Sequence, residues 1–406
     1  MKELAGSKVL FIVENNDVPF DRRVWREALA LNEAGAHVSV ICPKSSKSVK
    51  KNEIINEVHI YRYTLQTSNS GIKGFIYEYT VSFLKTFFLV HKVLWQFKGI
   101  DVIHVANPPD IFWPLAIYLK LFRIKFIFDE HDLTPELYQC KYAEDTWINK
   151  ILFKLLLLFQ KLSYYSADAI ISTNASYQNH VIQTNSKFKL KTFIVRNGPD
   201  IRYFKPVQPV EELKKKYKYL AAYIGIMGVQ DGVDYILYAM NEIVNKKNFT
   251  DLLVYIIGSG EELGHLKAIC NEMKLEDYII FTGRNSDEEA INILSTADIC
   301  LSPDPYNNFN NISTMNKVME YMALGKPVVS FKLKEAIYSA SDAGLYVNNN
   351  DPIAFAEGMI KLLKNKKLTE RLGKYGLERV RNKLCWQKQI EDLLNTYRYV
   401  LIDNQS

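Results

Sequence analysis

The stretch VLFIVENNDVPFDRRVWREALALNEAGAHVSVIC, residues 9–42, decides the fold class. An apolar run (VLFIVE, 9–14) leads to a segment of helical period from Arg22 to Ala34. Gly35 stops that segment, and a second apolar run, HVSVIC (37–42), follows. Strand, helix and strand in this order favour a parallel sheet covered by helices on both faces. The pattern continues through DVIHVA (101–106), KFIFDEHD (125–132), AIISTN (169–174) and TFIVRN (192–197). It restarts at LAAYIG (220–225) and runs on through LLVYIIG (252–258), YIIFTG (278–283), ADICLSP (297–303) and KPVVSF (326–331). Two consecutive sets predict an α/β protein with two doubly wound, Rossmann-like domains facing a cleft.

The boundary between the sets is readable as well. Asn197-Gly198-Pro199 is a turn signal, and Pro206 and Pro209 precede the charged run EELKKKY, so a linker is expected near 198–215. The expected division is residues 1–200, a first Rossmann-like domain; 201–380, a second; and 381–406, a helical tail packing back toward the first domain. The tail reads as helix over 365–400, with Trp386, Ile390, Leu393, Leu394 and Tyr397 on one apolar side.

Composition narrows the class. The 406 residues are 48% hydrophobic and 24% charged, an ordinary globular balance that excludes disorder and coiled coil. Five scattered cysteines with no CxxC pair argue against a disulfide framework or a zinc site. The first apolar run is too short for a signal peptide, and no long uncharged apolar window is present to span a membrane. A cytoplasmic protein is expected. The net charge of +6 is uneven: residues 1–200 hold 25 Lys and Arg against 19 Asp and Glu, and the remainder is neutral. A basic first half suits an anionic membrane surface or an anionic substrate. The chain has no basic stripe interleaved with aromatics, so nucleic acid is not an expected partner.

The chemistry is expected where strands end and helices begin. In NNISTMNKVMEYMALGKPVV (310–329), Ser313 and Thr314 resemble an N-cap of a helix ending at Gly325. Ser313, Asn316, Lys317 and Glu320 then share one face, with Met315, Val318, Met319 and Met322 on the core side. That face is a seat for a phosphate, with Lys317 supplying charge and Glu320, one turn deeper, accepting a pair of ribose hydroxyls. A solvated helix face is the competing reading. Gly225 and Gly228, after the second set's first strand, would let the backbone approach a phosphate. Gly258 and Gly260 have GxGxxxG spacing and read as a tight turn, which disfavours a nicotinamide dehydrogenase. His131 closes an apolar strand in the polar cluster DEHD, with Asp132 beside it, and Asn107-Pro108-Pro109-Asp110 follows another strand as a cleft loop or a structural turn.

At EYMALGKPVV the chain resembles the retaining glycosyltransferases of family 4, which have the GT-B fold. VRNGPDIRYFKP (195–206), GSGEELGHLK (258–267), FTGRNSDEEAINILSTADICLSP (281–303) and Trp386 agree in order. DRRVWREALALNEAG (21–35) and HDLTPELY (131–138) resemble the branch that builds bacterial surface polysaccharides. The resemblance implies transfer of a sugar from a nucleotide diphosphate donor, UDP-sugar favoured, to a hydroxyl of a glycan, with a lipid-linked acceptor expected. It implies a donor-sugar contact at His131 and same-face attack assisted by the leaving phosphate. No cofactor and no metal are expected.

The sequence also departs from the family pattern. Ile312 stands where a Glu contacts the donor sugar, and Ile226 and Asp231 stand where an Arg and a Lys hold the diphosphate. Lys317, and after it Arg284, become the expected cations. The first domain lacks the usual glycine-rich loop and has Asn15, Asn16 and the Asp21-Arg22-Arg23 helix start in its place. A nucleotide-sugar epimerase, a phosphorylase of the same fold, or a catalytically weak partner subunit remain alternative readings. Two apolar segments with spaced lysines, 83–98 and 148–162, raise the question of peripheral contact with the cytoplasmic membrane face. Buried packing is favoured for 148–162 and is balanced against the membrane for 83–98.

Overall fold

The computed structural model describes residues 3–45, 50–65, 71–141 and 146–402. The chain divides into two compact units, Met1–Val195 with Ile390–Ser406 and Arg196–Gln389.

Among the described residues the first unit holds eight strands: β1 Lys8–Ile12, β2 His37–Pro43, β3 Asn52–Ile55, β4 Val58–Tyr63, β5 Val102–Ala106, β6 Lys125–Glu130, β7 Ala169–Ser172 and β8 Thr192–Ile194. They form one sheet in the order β3-β4-β2-β1-β5-β6-β7-β8, parallel except for the β3-β4 pair. β5 is buried at every position and β1 at all but its first, as expected of parallel strands covered on both faces. The helix Arg22–Glu33 begins where the Asp21 carboxylate accepts the backbone N–H groups of Arg23 and Val24, and Gly35, at φ 101°, closes its end. The β3-β4 hairpin was not anticipated. Its turn is made by Asn56 and Glu57, both at positive φ, without the glycine that marks most such turns.

The second unit holds six parallel strands: β9 Tyr219–Ile224, β10 Leu252–Ile257, β11 Ile279–Gly283, β12 Ile299–Ser302, β13 Val328–Phe331 and β14 Gly344–Val347. Their order is β11-β10-β9-β12-β13-β14, so the winding reverses between β9 and β12. One core lies on each side of this sheet, around Ile236, Met240 and Phe355 on one and Val318, Met322 and Leu384 on the other.

The expected linker is part of this second unit. Trp386, 1% exposed, donates its backbone N–H to the Pro199 carbonyl, and Gln387 Nε2 donates to Asp200 Oδ1 at 2.6 Å. A Cβ on Gly198 would come within 1.8 Å of the Leu384 carbonyl, so the turn admits only glycine. The expected continuous tail helix is two helices, Lys366–Arg379 and Trp386–Leu401, joined by a wider turn over Val380–Leu384.

The reading of 148–162 as a buried helix needs correction. The helix Trp147–Ser166 forms, but Ile151, Leu155 and Leu158 on its outer side are each more than 40% exposed.

Candidate active site

Ligands of open parallel sheets bind beyond the carboxyl ends of strands where the winding reverses. In the second unit these are the ends of β9 and β12. Tyr321 ties them together: its hydroxyl accepts the Ile224 N–H at 2.9 Å and donates to the Leu301 carbonyl at 3.1 Å. After β9 the chain runs through Gly225 and Gly228, and the loop after β10 presses against it. A Cβ on Gly258 would sit 1.9 Å from the Gly225 carbonyl, and one on Gly260 2.3 Å from the Met227 carbonyl. The glycines after β10 therefore serve backbone packing under the β9 loop.

The helix after β12 differs from the expected one. It spans Asn316–Ala323 and begins at Met315, with no side-chain cap. Ser313 and Thr314 are not its N-cap. Ser313 instead ends a short helix, Asn308–Ile312, capped by Asn307, and its hydroxyl donates to the Phe309 carbonyl at 2.8 Å. Asn310 Nδ2 reaches the Gln230 and Pro305 carbonyls, both at 2.9 Å, which fixes this short helix to the β9 loop. Asn316 is exposed and Glu320 is half-buried one turn further on.

Lys317, expected as the cation of the phosphate seat, does not lie on an open helix face, and the competing reading of a solvated face fails at this residue. It is 9% exposed, and its Nζ donates to Asp304 Oδ1 at 2.6 Å. The Ser302 hydroxyl donates to the other Asp304 oxygen, and the ammonium lies 4.8 Å from the centre of the Tyr223 ring. Burial alone would lower the Lys317 pKa, but Asp304, with Asp231 behind it, more than offsets this and raises it. Lys317 thus stays charged, already partnered by a buried carboxylate. Asp231, where the family has a lysine, accepts the Gly228 N–H at 3.0 Å and orders the β9 loop. Ile226 is 67% exposed, and Arg284 is exposed after β11, on the sheet's far edge.

In the first unit the polar residues collect behind His131. Its Nε2 lies 2.7 Å from Asp129 Oδ2, and Asp129 is gripped by Arg23 through Nε at 3.1 Å and Nη2 at 2.9 Å. Arg23 also reaches Glu27 at 3.1 Å and donates to the Val195 carbonyl. His104 Nδ1 lies 2.8 Å from the Tyr397 hydroxyl, and its Nε2 lies 3.4 Å from Asp129. Burial would raise the Asp129 carboxyl, yet Arg23 and His131 hold it well below the usual range. Burial would lower His131, but Asp129 overcomes this and raises it. Burial pushes Glu27 up to about 8 against the pull of Arg23, so near neutral pH it keeps its proton. Glu27, His104 and Asp129 have the side-chain types of a metal site, with ligand atoms within 4.8 Å of one another. The cation already among them is the Arg23 guanidinium.

Other expected contacts fall differently. Arg23 is 4% exposed, so it supports His131 rather than facing a ligand, while Arg22 and Asn15 are exposed. Asn107 is buried: its Oδ1 accepts the His131 N–H at 2.6 Å, and its Nδ2 donates to Asp110 and to the Asp132 carbonyl. It therefore clamps the His131 loop to the end of β5. Asp110 is buried beneath it, with burial pushing its carboxyl up to about 7, and Asp132 is half-buried and raised for the same reason. Asp304, Tyr223, Tyr321, Glu27, His104 and Tyr397 were missed by the sequence reading. Asp304 alone carried a local signal, in the polar Asp304-Pro305 step that follows ICLSP.

Two family models account for most of the chain. Residues 21–203 match Glycosyltransferase Family 4, and residues 218–365 match Glycosyl transferases group 1. A chitobiosyldiphosphodolichol beta-mannosyltransferase of Debaryomyces hansenii is 23% identical over 69% of this chain and 63% of its own length. The capsular polysaccharide biosynthesis glycosyltransferase CapM of Staphylococcus aureus is 25% identical over 60% of this chain and 65% of its own. The chain thus spans a little under two thirds of the length of these relatives. A crystal structure of the Anabaena protein HepE with UDP and glucose superposes with a TM-score of 0.73 at 14% identity, covering 96% of this chain and 99% of that one. The parallel-sheet units and the matched models agree with one another, and this chain is a glycosyltransferase of family 4 with the GT-B fold.

Proposed function

We propose that the protein transfers a sugar, with retention, from a nucleotide diphosphate donor to a hydroxyl of a glycan in surface polysaccharide synthesis, with a UDP-sugar as donor and a lipid-linked acceptor. The observation that carries the donor reading is the helix Asn316–Ala323, which follows β12 at the winding reversal with Glu320 half-buried one turn in. A carboxylate there can accept two vicinal hydroxyls, as a ribose offers. The likeness to CapM and to a structure holding UDP supports the substrate classes.

In this reading the second unit seats the nucleotide and the first supplies His131. The bond between the anomeric carbon and the β-phosphate oxygen breaks, and its electron pair leaves with the diphosphate. The acceptor oxygen bonds to the same face of that carbon, and its proton passes to the departing phosphate oxygen. Charge developing on the phosphate needs preorganised donors. Lys317 contributes a fixed positive charge shared with Asp304, and the donor-sugar contact falls to His131, whose ring is held by Asp129.

The test has two parts. A thermal-shift panel of UDP-, GDP- and ADP-sugars should show stabilisation by the UDP-sugar first, since ligand binding raises stability with affinity and concentration. Proton NMR of the product should show the donor's anomeric configuration; the opposite anomer would exclude same-face attack. A response to GDP-sugar alone would move the reading to another donor class.

A further inference from the structure

Three helices of the first unit, Gly71–Phe97, Trp113–Lys120 and Trp147–Ser166, pack on one core with Leu10, Ile12, Ile103 and Phe126 of the sheet. A chain of ring contacts joins the first two: Phe88 to Phe87 at 5.8 Å, Phe87 to Tyr118 at 5.5 Å, and Tyr118 to Phe122 at 5.4 Å. Trp113 meets Phe159 of the third helix at 6.3 Å. The outer side of this layer is apolar. Phe88 is 69% exposed, Trp95 85%, Leu121 79%, Phe122 59%, Ile151 55% and Leu158 49%. On the long helix Leu84, Phe88 and Trp95 recur at one-face spacing, as do Ile151, Leu155 and Leu158 on the third. Single exposed apolar residues are ordinary, but an apolar face running over three adjacent helices marks an interaction surface.

The charges select the partner. Glu78 is the sole acidic residue in the three helices, whereas Lys92, Lys120, Lys150, Lys154 and Lys161 are exposed on them. Lys120 meets Asp168 at 3.3 Å. A second copy of this face would bring lysine against lysine. A surface with an apolar interior and anionic headgroups complements both features, and aromatic side chains such as Trp95 favour that boundary. Among the described residues no helix is long and apolar enough to cross a membrane, so these helices would lie in the interface plane.

We propose that this three-helix face docks the protein onto an anionic phospholipid bilayer. The inference is independent of the donor reading, because vesicle binding is measured without nucleotide or acceptor.

The experiment is co-sedimentation with vesicles of phosphatidylglycerol mixed into phosphatidylcholine, beside pure phosphatidylcholine, at low and high salt. Binding is expected to the anionic vesicles, weakened by salt, with a blue shift of tryptophan emission. Each lysine near such a surface contributes about 1 kcal/mol, so Lys92→Gln/Lys150→Gln/Lys154→Gln should bind roughly 100-fold more weakly. Trp95→Ser/Leu121→Ser should lose the emission shift and most of the binding, with an unchanged melting temperature because both side chains are exposed. Three results would overturn the proposal: no sedimentation with anionic vesicles, equal binding by the lysine variant, or a dimer in analytical ultracentrifugation that the Trp95→Ser/Leu121→Ser variant abolishes.

Discussion

Each unit places a buried carboxylate and a cation near the point where its winding reverses, but the two arrangements differ. In the first, Asp129 is held by both ends of the Arg23 guanidinium and passes a third contact to His131, with Glu27, His104 and Tyr397 packed behind. In the second, Asp304 meets one ammonium and one hydroxyl, and that ammonium lies over the Tyr223 ring. A planar guanidinium fixes a carboxylate in two directions, while an ammonium acts as a point charge on a flexible stem. The first arrangement suits the orientation of one imidazole. The second suits a charge whose partner can be shared with an incoming anion.

The largest expected effect tests the first arrangement. Asp129→Ala would leave Arg23 and His131 without their carboxylate inside the protein, and breaking a buried pair costs ~3–5 kcal/mol. Urea unfolding should show a loss at the upper end of that range; a loss below ~1 kcal/mol would mean that Glu27 takes over. In the second unit, Lys317→Met should destabilise by ~3 kcal/mol because Asp304 is left unpaired, and Lys317→Met/Asp304→Leu should recover most of it. If the double variant is as unstable as the single, the pair is not the reason Lys317 is buried. If the double variant is stable and still active, Lys317 plays no part in charge stabilisation.

His131→Ala separates support from chemistry. Turnover should fall ~100-fold with nucleotide affinity unchanged, and a near-wild-type rate would reduce the cluster to a packing role.

A smaller effect concerns pH. Glu27 binds its proton more tightly in the fold than in the unfolded chain, with the folded value near 8 and the ordinary one at 4.5. Its contribution is therefore full below 4.5 and is lost as pH rises through 8. His131, also raised above its ordinary 6.5, acts in the same direction, being fully stabilising below 6.5 and losing that contribution as pH rises through its folded value. Wild type should lose stability toward alkaline pH, by up to about 1.4 kcal/mol per pH unit per titrating group. Glu27→Gln should flatten that slope; an unchanged slope would place the titration elsewhere.

Most of the sheet was legible because parallel strands buried on both faces are continuous apolar runs, as LLVYII in β10 shows. The strands that escaped notice are at or near sheet edges. β3 and β4 turn on Asn56-Glu57, and β14 is four half-buried residues long. The polar sites were less legible, for two reasons. His104 and Tyr397 meet across 293 residues, a distance no local pattern encodes. At Ser313 the local pattern gave a plausible cap, but Asn307 had already started a short helix whose end takes up the Ser313 hydroxyl. Glu320 was placed correctly on the helix because the 3.6-residue period depends on its neighbours alone, whereas the burial of Lys317 depends on Asp304, which comes from another segment.

Calorimetric titration of UDP into wild type and Glu320→Ala tests whether the second unit seats the nucleotide through the Asn316–Ala323 helix. Losing a charge-assisted hydrogen bond of ~1.5–3 kcal/mol predicts affinity at least 10-fold weaker in the variant, with the melting temperature of the free protein unchanged. Equal affinity in the two proteins would contradict that seating.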